Sequence, residues 1–170
     1  MSSALLPRVE LASTPQAEAA RRLVLTAAQA VYAGDIAFNV GNAMAAPDSD
    51  AMVVLLGDSV IGFYRLDYPT AHVPRRAPDR RAVTLRAFAL DAAWQGRGLG
   101  LPTLAACCAD LALRHPERPL LALHVHAANT IALQLYRRAG FVASGGMLPG
   151  GSGGPQHLML RALGVGQWAP

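Results

Sequence analysis

The chain has 170 residues, 52% of them hydrophobic and 15% charged, which suits one folded domain and excludes a disordered chain. A formal charge of +4 admits an anionic ligand but is too small to argue for nucleic acid, and no apolar run is long enough to span a membrane. The opening residues lack a basic region followed by an apolar core, so the expected setting is cytoplasmic.

Residues 8–12 are expected to form a first strand, and Thr14 and Pro15 then supply a cap and a first-turn proline. Ala17, Ala20, Val24, Ala27, Ala28 and Val31 line one face of a helix predicted to run to about residue 33. A shorter helix is expected from Asp35, with Ile36 and Val40 one turn apart and Gly41 as its stop. Residues 52–56 and 60–66 are rich in branched and aromatic side chains, and Gly57-Asp58 between them marks a hairpin. Residues 67–81 hold Arg75, Arg76, Arg80 and Arg81 among prolines and read as a long exposed loop.

Residues 82–90 are the next predicted strand, and they lead into the most informative stretch, Gln95-Gly96-Arg97-Gly98-Leu99-Gly100. Its glycines leave the backbone free of Cβ bulk, so that N–H groups can turn toward one point. Leu101, Leu104, Ala105, Cys108, Leu111 and Ala112 then recur at helical spacing, with Pro102 in the first turn. A loop of this kind opening a helix favours a phosphate, because the helix start offers unpaired donors and the positive end of the dipole. The glycine spacing is neither the dinucleotide fingerprint nor a P-loop. Cys107 and Cys108 are helical neighbours that point in different directions, which argues against a disulfide or a metal site.

Residues 120–125 form an almost continuous apolar strand, so strand, loop, helix and strand make a βαβ unit with a parallel strand pair. Asn129 caps a helix with Arg137 and Arg138 in its last turn and a stop at Gly140. A strand from residue 141, a glycine-rich loop over 144–155 and a last strand over 157–162 complete the order. No repeat or linker divides the chain, so one domain over residues 1–170 is expected, with its core at about 9–163.

Gln95 to Gly100 resembles the acyl-CoA pyrophosphate loop of the GNAT superfamily of N-acetyltransferases. Asn129, Ala132, Leu135, Tyr136, Gly140 and Phe141 resemble a second segment of that family, in the same order along the chain. The resemblance implies an α/β (α+β) fold: a mixed, mostly antiparallel twisted sheet of about six to seven strands with a central splayed parallel pair, flanked by about four helices. It also implies acetyl-CoA as cosubstrate. Backbone groups of Phe88, Ala89 and Leu90 would meet the pantetheine amides, Gln95, Gly96, Gly98, Leu99 and Gly100 would wrap the pyrophosphate, and Arg97 would add a charge-assisted contact. Asn129 would hold the pantetheine arm, and the Tyr136 hydroxyl would sit near the thioester sulfur as general acid.

Acetyl transfer from a thioester needs a neutral amine, a stabilised oxyanion and a proton for the leaving thiolate. A lysine-like amine of pKa ~10.4 costs roughly 4 to 5 kcal/mol to hold neutral near pH 7, so a base matters. Asn129 and Tyr136 share one helix face, about 10 Å apart along the axis. A phenol of pKa near 10 stays protonated at neutral pH and can still protonate a thiolate. His124 and His126 share one face of their strand. By the resemblance, His124 stands where N-terminal acetyltransferases of the superfamily carry a glutamate base, and histidine is the candidate here.

The expected reaction is direct transfer to a primary amine of unknown identity, a small molecule being favoured over a peptide N-terminus or lysine, with no metal. The arginine loop and the loop over 145–154 are the expected walls of the acceptor pocket. A non-catalytic acyl-CoA-binding module is the rival from another class. No nucleic-acid or membrane partner is expected, and a homodimer stands as one oligomeric option.

Overall fold

A computed structural model describes residues 5–68, 81–151 and 153–164. The strands β1 (Arg8–Leu11), β2 (Ser49–Leu56), β3 (Ser59–Asp67), β4 (Val83–Leu90), β5 (Leu120–His126), β6 (Val142–Ala143) and β7 (Gln156–Ala162) form one sheet in the order β1-β2-β3-β4-β5-β7-β6. Every pairing is antiparallel except that of β4 with β5. The helices are α1 (Thr14–Arg21), α2 (Ala27–Ala33), α3 (Ile36–Ala45), α4 (Gly100–Arg114) and α5 (Thr130–Arg138).

Side chains alternate across the sheet, so each strand feeds two cores. Met52, Val54, Tyr64, Leu66, Leu121 and Leu123 pack toward α4 and α5, with Leu104, Leu111 and Leu133. Ala51, Val53, Leu55, Phe63 and Ala89 pack toward α1 and α3, with Ala17, Ala20, Ile36 and Val40. A fully buried side chain such as Leu104 or Leu121 contributes roughly 1.5–3 kcal/mol relative to exposure, so the two cores hold the sheet between its helix layers. Cys107 and Cys108 are buried free thiols of α4. Among the described residues no helix is long and apolar enough to cross a membrane.

The expected single helix over residues 14–33 is two helices. Its cap is Ser13, not Thr14: the Ser13 hydroxyl accepts from Gln16 N, and the Gln16 side chain accepts from Ser13 N in return. The break between α1 and α2 follows from a tertiary contact. Val24 N donates to the Asp91 carboxylate at 2.8 Å, and Val24 O accepts from Ala92 N at 2.7 Å, which removes both groups from a helical ladder. In this extended segment Leu23 and Leu25 turn onto the core and Val24 turns out, the two-residue period of a strand. Thr26 then caps α2, accepting from Gln29 N.

The expected stop at Gly41 is also corrected, since α3 continues through it to Ala45, ahead of Pro47. A Cβ at Gly41 would stand 3.5 Å from the Arg21 guanidinium, an ordinary contact, so neither space nor backbone makes this position a stop. Asp35 caps α3 as expected, its carboxylate accepting from Phe38 N. The arginines Arg75, Arg76 and Arg80 lie outside the described residues, as does the chain beyond residue 164.

Two irregularities of β4 shape the centre of the molecule. Its parallel pairing with β5 is confined to Val83↔Leu121 and Thr84↔Ala122, after which the strands splay. Its antiparallel pairing with β3 runs from Arg65↔Arg86 to Phe63↔Ala89, so β4 carries one extra residue opposite Tyr64. The bulge holds Ala87 at φ 52, in the left-handed region that a residue with a Cβ seldom adopts. Gly62 on β3 is required beside it, because a Cβ there would meet Ala89 O at 2.8 Å.

Candidate active site

The splay of β4 and β5 opens a cleft of about 1630 Å³, walled by both strands, α2, part of α3, the start of α4 and the length of α5. From Arg86 onward β4 has no partner on its β5 side among the described residues, so the backbone of Phe88, Ala89 and Leu90 stands at the cleft wall. Beyond the bulge, Phe88 packs toward α5 while Ala87 and Ala89 face α1 and α3.

At the far end of β4, Asp91 caps a short turn over Ala92–Trp94 and so aims the glycine loop. Gly96 and Gly98 have φ values of 70 and 72, and open space surrounds the position of a Cβ at each. Their need for glycine is therefore conformational. Gly100 differs: a Cβ there would stand 3.1 Å from Leu135, so its bareness lets α4 approach α5. The Gln95 amide turns inward, donating to Leu90 O at 3.0 Å and to the Gln29 side chain of α2. Arg97 turns outward, with its guanidinium 4.8 Å from the Trp94 ring centre.

No side chain caps α4 at Leu99. The N–H groups of Gly100 and Leu101 have no partner among the described residues, and Pro102 has none to offer. Uncapped donors and the positive end of a 15-residue helix thus meet the mouth of the cleft, where a diphosphate fits.

Tyr136 rises from α5 between two aromatic rings, 6.4 Å from Phe88 and 5.6 Å from Phe141, both edge-on. The second contact is set by the end of α5, where Gly140 at φ 91 lets Phe141 N bond back to Tyr136 O. Burial, with the nearby Cys107 thiol, pushes the Tyr136 phenol well above its ordinary pKa. Asn129 caps the same helix, its carbonyl accepting from Ala132 N at 3.3 Å, while also lining the cleft.

His124 and His126 line the opposite wall on β5, on the face turned toward α2. His126 stacks on Tyr32 of α2 at 5.3 Å, and its Nε2 lies 3.1 Å from the Gln156 amide nitrogen of β7. The other ring nitrogen, Nδ1, is buried without a partner among the described residues. Gly153 lies against this ring, where a Cβ would clash with the imidazole, which brings the glycine-rich loop to the cleft wall.

The structure therefore brings together the glycine loop, the β4 backbone, Asn129, Tyr136 and His124 on one cleft, and turns Arg97 out of it. It also adds Arg65, Asp67 and Arg86, which the sequence reading passed over. Alternation was the available signal: Val83 and Leu85 face the core, so Thr84 and Arg86 share the other face.

The family model described as "Acetyltransferase (GNAT) family" matches residues 16–141. No curated protein matches the chain. Among solved structures, the aminoglycoside acetyltransferase AAC(6')-Ib in complex with paromomycin and acetyl-CoA superposes with a TM-score of 0.74 at 16% identity, covering 92% of this chain and 93% of that one. Spermidine N-acetyltransferase from Vibrio cholerae, with CoA and spermine, gives 0.69 at 16% identity over 92% and 95% of the two chains. The GNAT domain of S. lividans PAT gives 0.68 at 18% identity over 92% and 90%. With the family model spanning most of its length, from α1 to the end of α5, the chain belongs to the GNAT family of acetyltransferases.

Proposed function

We propose that the chain transfers an acetyl group from acetyl-CoA directly to a primary amine of a small molecule. The observation that carries this reading is the uncapped start of α4, facing the gap where β4 and β5 part. In this reading the backbone of Gly96, Gly98, Leu99 and Gly100 binds the diphosphate, and Gln95 holds the loop in place through Leu90 and Gln29. Arg97, swung off Trp94, adds a charge-assisted contact. Phe88, Ala89 and Leu90 offer backbone groups to the pantetheine amides, and Asn129 meets the arm from α5.

Acetyl-CoA supplies an activated acyl carbon whose bond to sulfur breaks as its bond to nitrogen forms. His124 takes the proton released from the attacking amine, and Tyr136 gives its phenolic proton to the departing sulfur. Solvent returns a proton to Tyr136 and removes one from His124, which balances the cycle. As part of this reading the chain works in the cytoplasm as one domain, with its core over residues 9–163.

The test is thiol release from acetyl-CoA across a library of amines, beside calorimetric titration with acetyl-CoA. Amine-dependent release and saturable binding are expected. Absence of acetyl-CoA binding would falsify the reading, and binding with no turnover on any amine would favour the non-catalytic module.

A further inference from the structure

We infer that the acceptor, in the small-molecule reading above, carries an anionic group close to its amine, and that Arg86 is the residue that binds it. The pairing of β4 with β5 ends at Thr84↔Ala122. Two residues further along each strand, on the same face, stand Arg86 and His124, so these side chains flank the opening of the cleft from opposite sides. Both side chains line the one cleft, so a molecule whose amine reaches His124 can present an anionic group to Arg86 across it.

Among the described residues of β3 and β4 that line this face, Arg65, Asp67 and Arg86 sum to one positive charge. Register sets Arg65 directly opposite Arg86, a like-charge pair that needs an anion between its members. Asp67 is that anion. Its Oδ1 accepts from Ser49 Oγ at 2.6 Å and from Arg65 Nε at 2.9 Å, and its Oδ2 accepts from Arg86 Nη1 at 2.7 Å. Burial pushes the Asp67 carboxyl upward, but the bonds from Ser49 and Arg86 and the Arg65 charge outweigh it, and the group lies below its ordinary value. One carboxylate thus serves two guanidiniums.

Arg65 is 4% exposed, and its remaining donors go to Asn42 and Ser49, so it is spent inside the protein. Arg86 is not spent. Its side chain is 48% exposed and, among the described residues, only Nη1 is engaged, which leaves Nε and Nη2 for a carboxylate or phosphate. The same bonds take three of the roughly four acceptor sites of Asp67, so little of its charge is left for a substrate ammonium. Among the described residues the cleft's other carboxylates, Asp35 and Asp48, lie on the connections flanking α3, and Asp35 is engaged in capping that helix.

The experiment compares matched amines by thiol release: glycine with glycinamide, 2-aminoethylphosphate with ethanolamine, and spermidine and kanamycin as polycations. Wild type is expected to favour the anionic member of at least one pair by about 10- to 100-fold in kcat/KM, the scale of one charge-assisted bond; which pair responds separates carboxylate from phosphate. Arg86→Gln should erase that preference through KM, Arg86→Lys should restore part of it, and Arg86→Glu should reverse it. Melting temperature and calorimetric acetyl-CoA affinity, measured for each variant, separate a failed fold or failed cofactor reading from a failed acceptor reading. Preference for the neutral twin or a polycation, equal loss on both members of a pair in Arg86→Gln, or uptake of no anionic amine with acetyl-CoA binding intact each overturns the inference.

Discussion

Tyr136 is a phenol set among rings, and its environment fixes its protonation. Because burial raises its pKa above the ordinary value near 10, it remains a proton donor across the neutral and mildly alkaline range. The sign is definite: a raised pKa favours the neutral form, so no loss of kcat below about pH 10 should trace to Tyr136 ionisation. Tyr136→Phe keeps the edge contacts with Phe88 and Phe141, so stability should change little. Its kcat should fall by about 10²-fold or more with acetyl-CoA affinity intact, and full turnover would remove Tyr136 from the reaction. His124 poses a different question, because the need for a base depends on the acceptor. His124→Gln should lower kcat by about 10- to 100-fold, with larger losses for amines of higher pKa. Equal losses along a series of amines spanning that range would make His124 a positioning residue.

At the level of elements, the break between α1 and α2 and the turn before α4 are one device. Asp91 joins them, its Oδ2 accepting from Val24 N and its Oδ1 from Ala93 N. Asp91→Ala removes the bonds to Val24 N and Ala93 N, at a cost of about 1–2 kcal/mol and a melting temperature lower by roughly 2–8 °C. It should also raise KM for acetyl-CoA, since Asp91 aims the glycine loop; unchanged melting and KM would contradict the link. This device explains which parts of the chain could be read in advance. The stretch from β4 to the end of α5 was legible because its punctuation is chemical: glycines before α4, Asn129 before α5, Gly140 after it. The N-terminal helices were not, because apolar spacing favoured one helix while a carboxylate 67 residues away bound the backbone of Val24. The bulge at Ala87 was hidden for a related reason. Alanine carries no sign of positive φ, and the conformation is imposed by the β3 register and by Gly62. Arg86 and Asp67 meet only once that register is set.

For the molecule as a whole, the two cores stabilise opposite faces of a sheet that is left open along its middle. Strands β1 to β4 pair continuously on one side and β5, β7 and β6 on the other, with two residue pairs of β4 and β5 between the halves. A ligand lying in that opening bridges both halves and the start of α4, so binding should register as global stability. CoA at 100 times its dissociation constant adds about 2.7 kcal/mol, which for a chain of this size is a rise in melting temperature of roughly 5–10 °C. If the uncapped N–H groups hold the diphosphate, acetyl-pantetheine at the same concentration should give a much smaller rise. Gly98→Val, strained at φ 72 whatever the room around it, should lower ligand-free stability by about 1–2 kcal/mol and, beyond that, lose most of the CoA increment. Equal rises from CoA and acetyl-pantetheine, or a Gly98→Val protein that keeps the full increment, would mean that the diphosphate is held elsewhere and that the start of α4 is a helix end left to water.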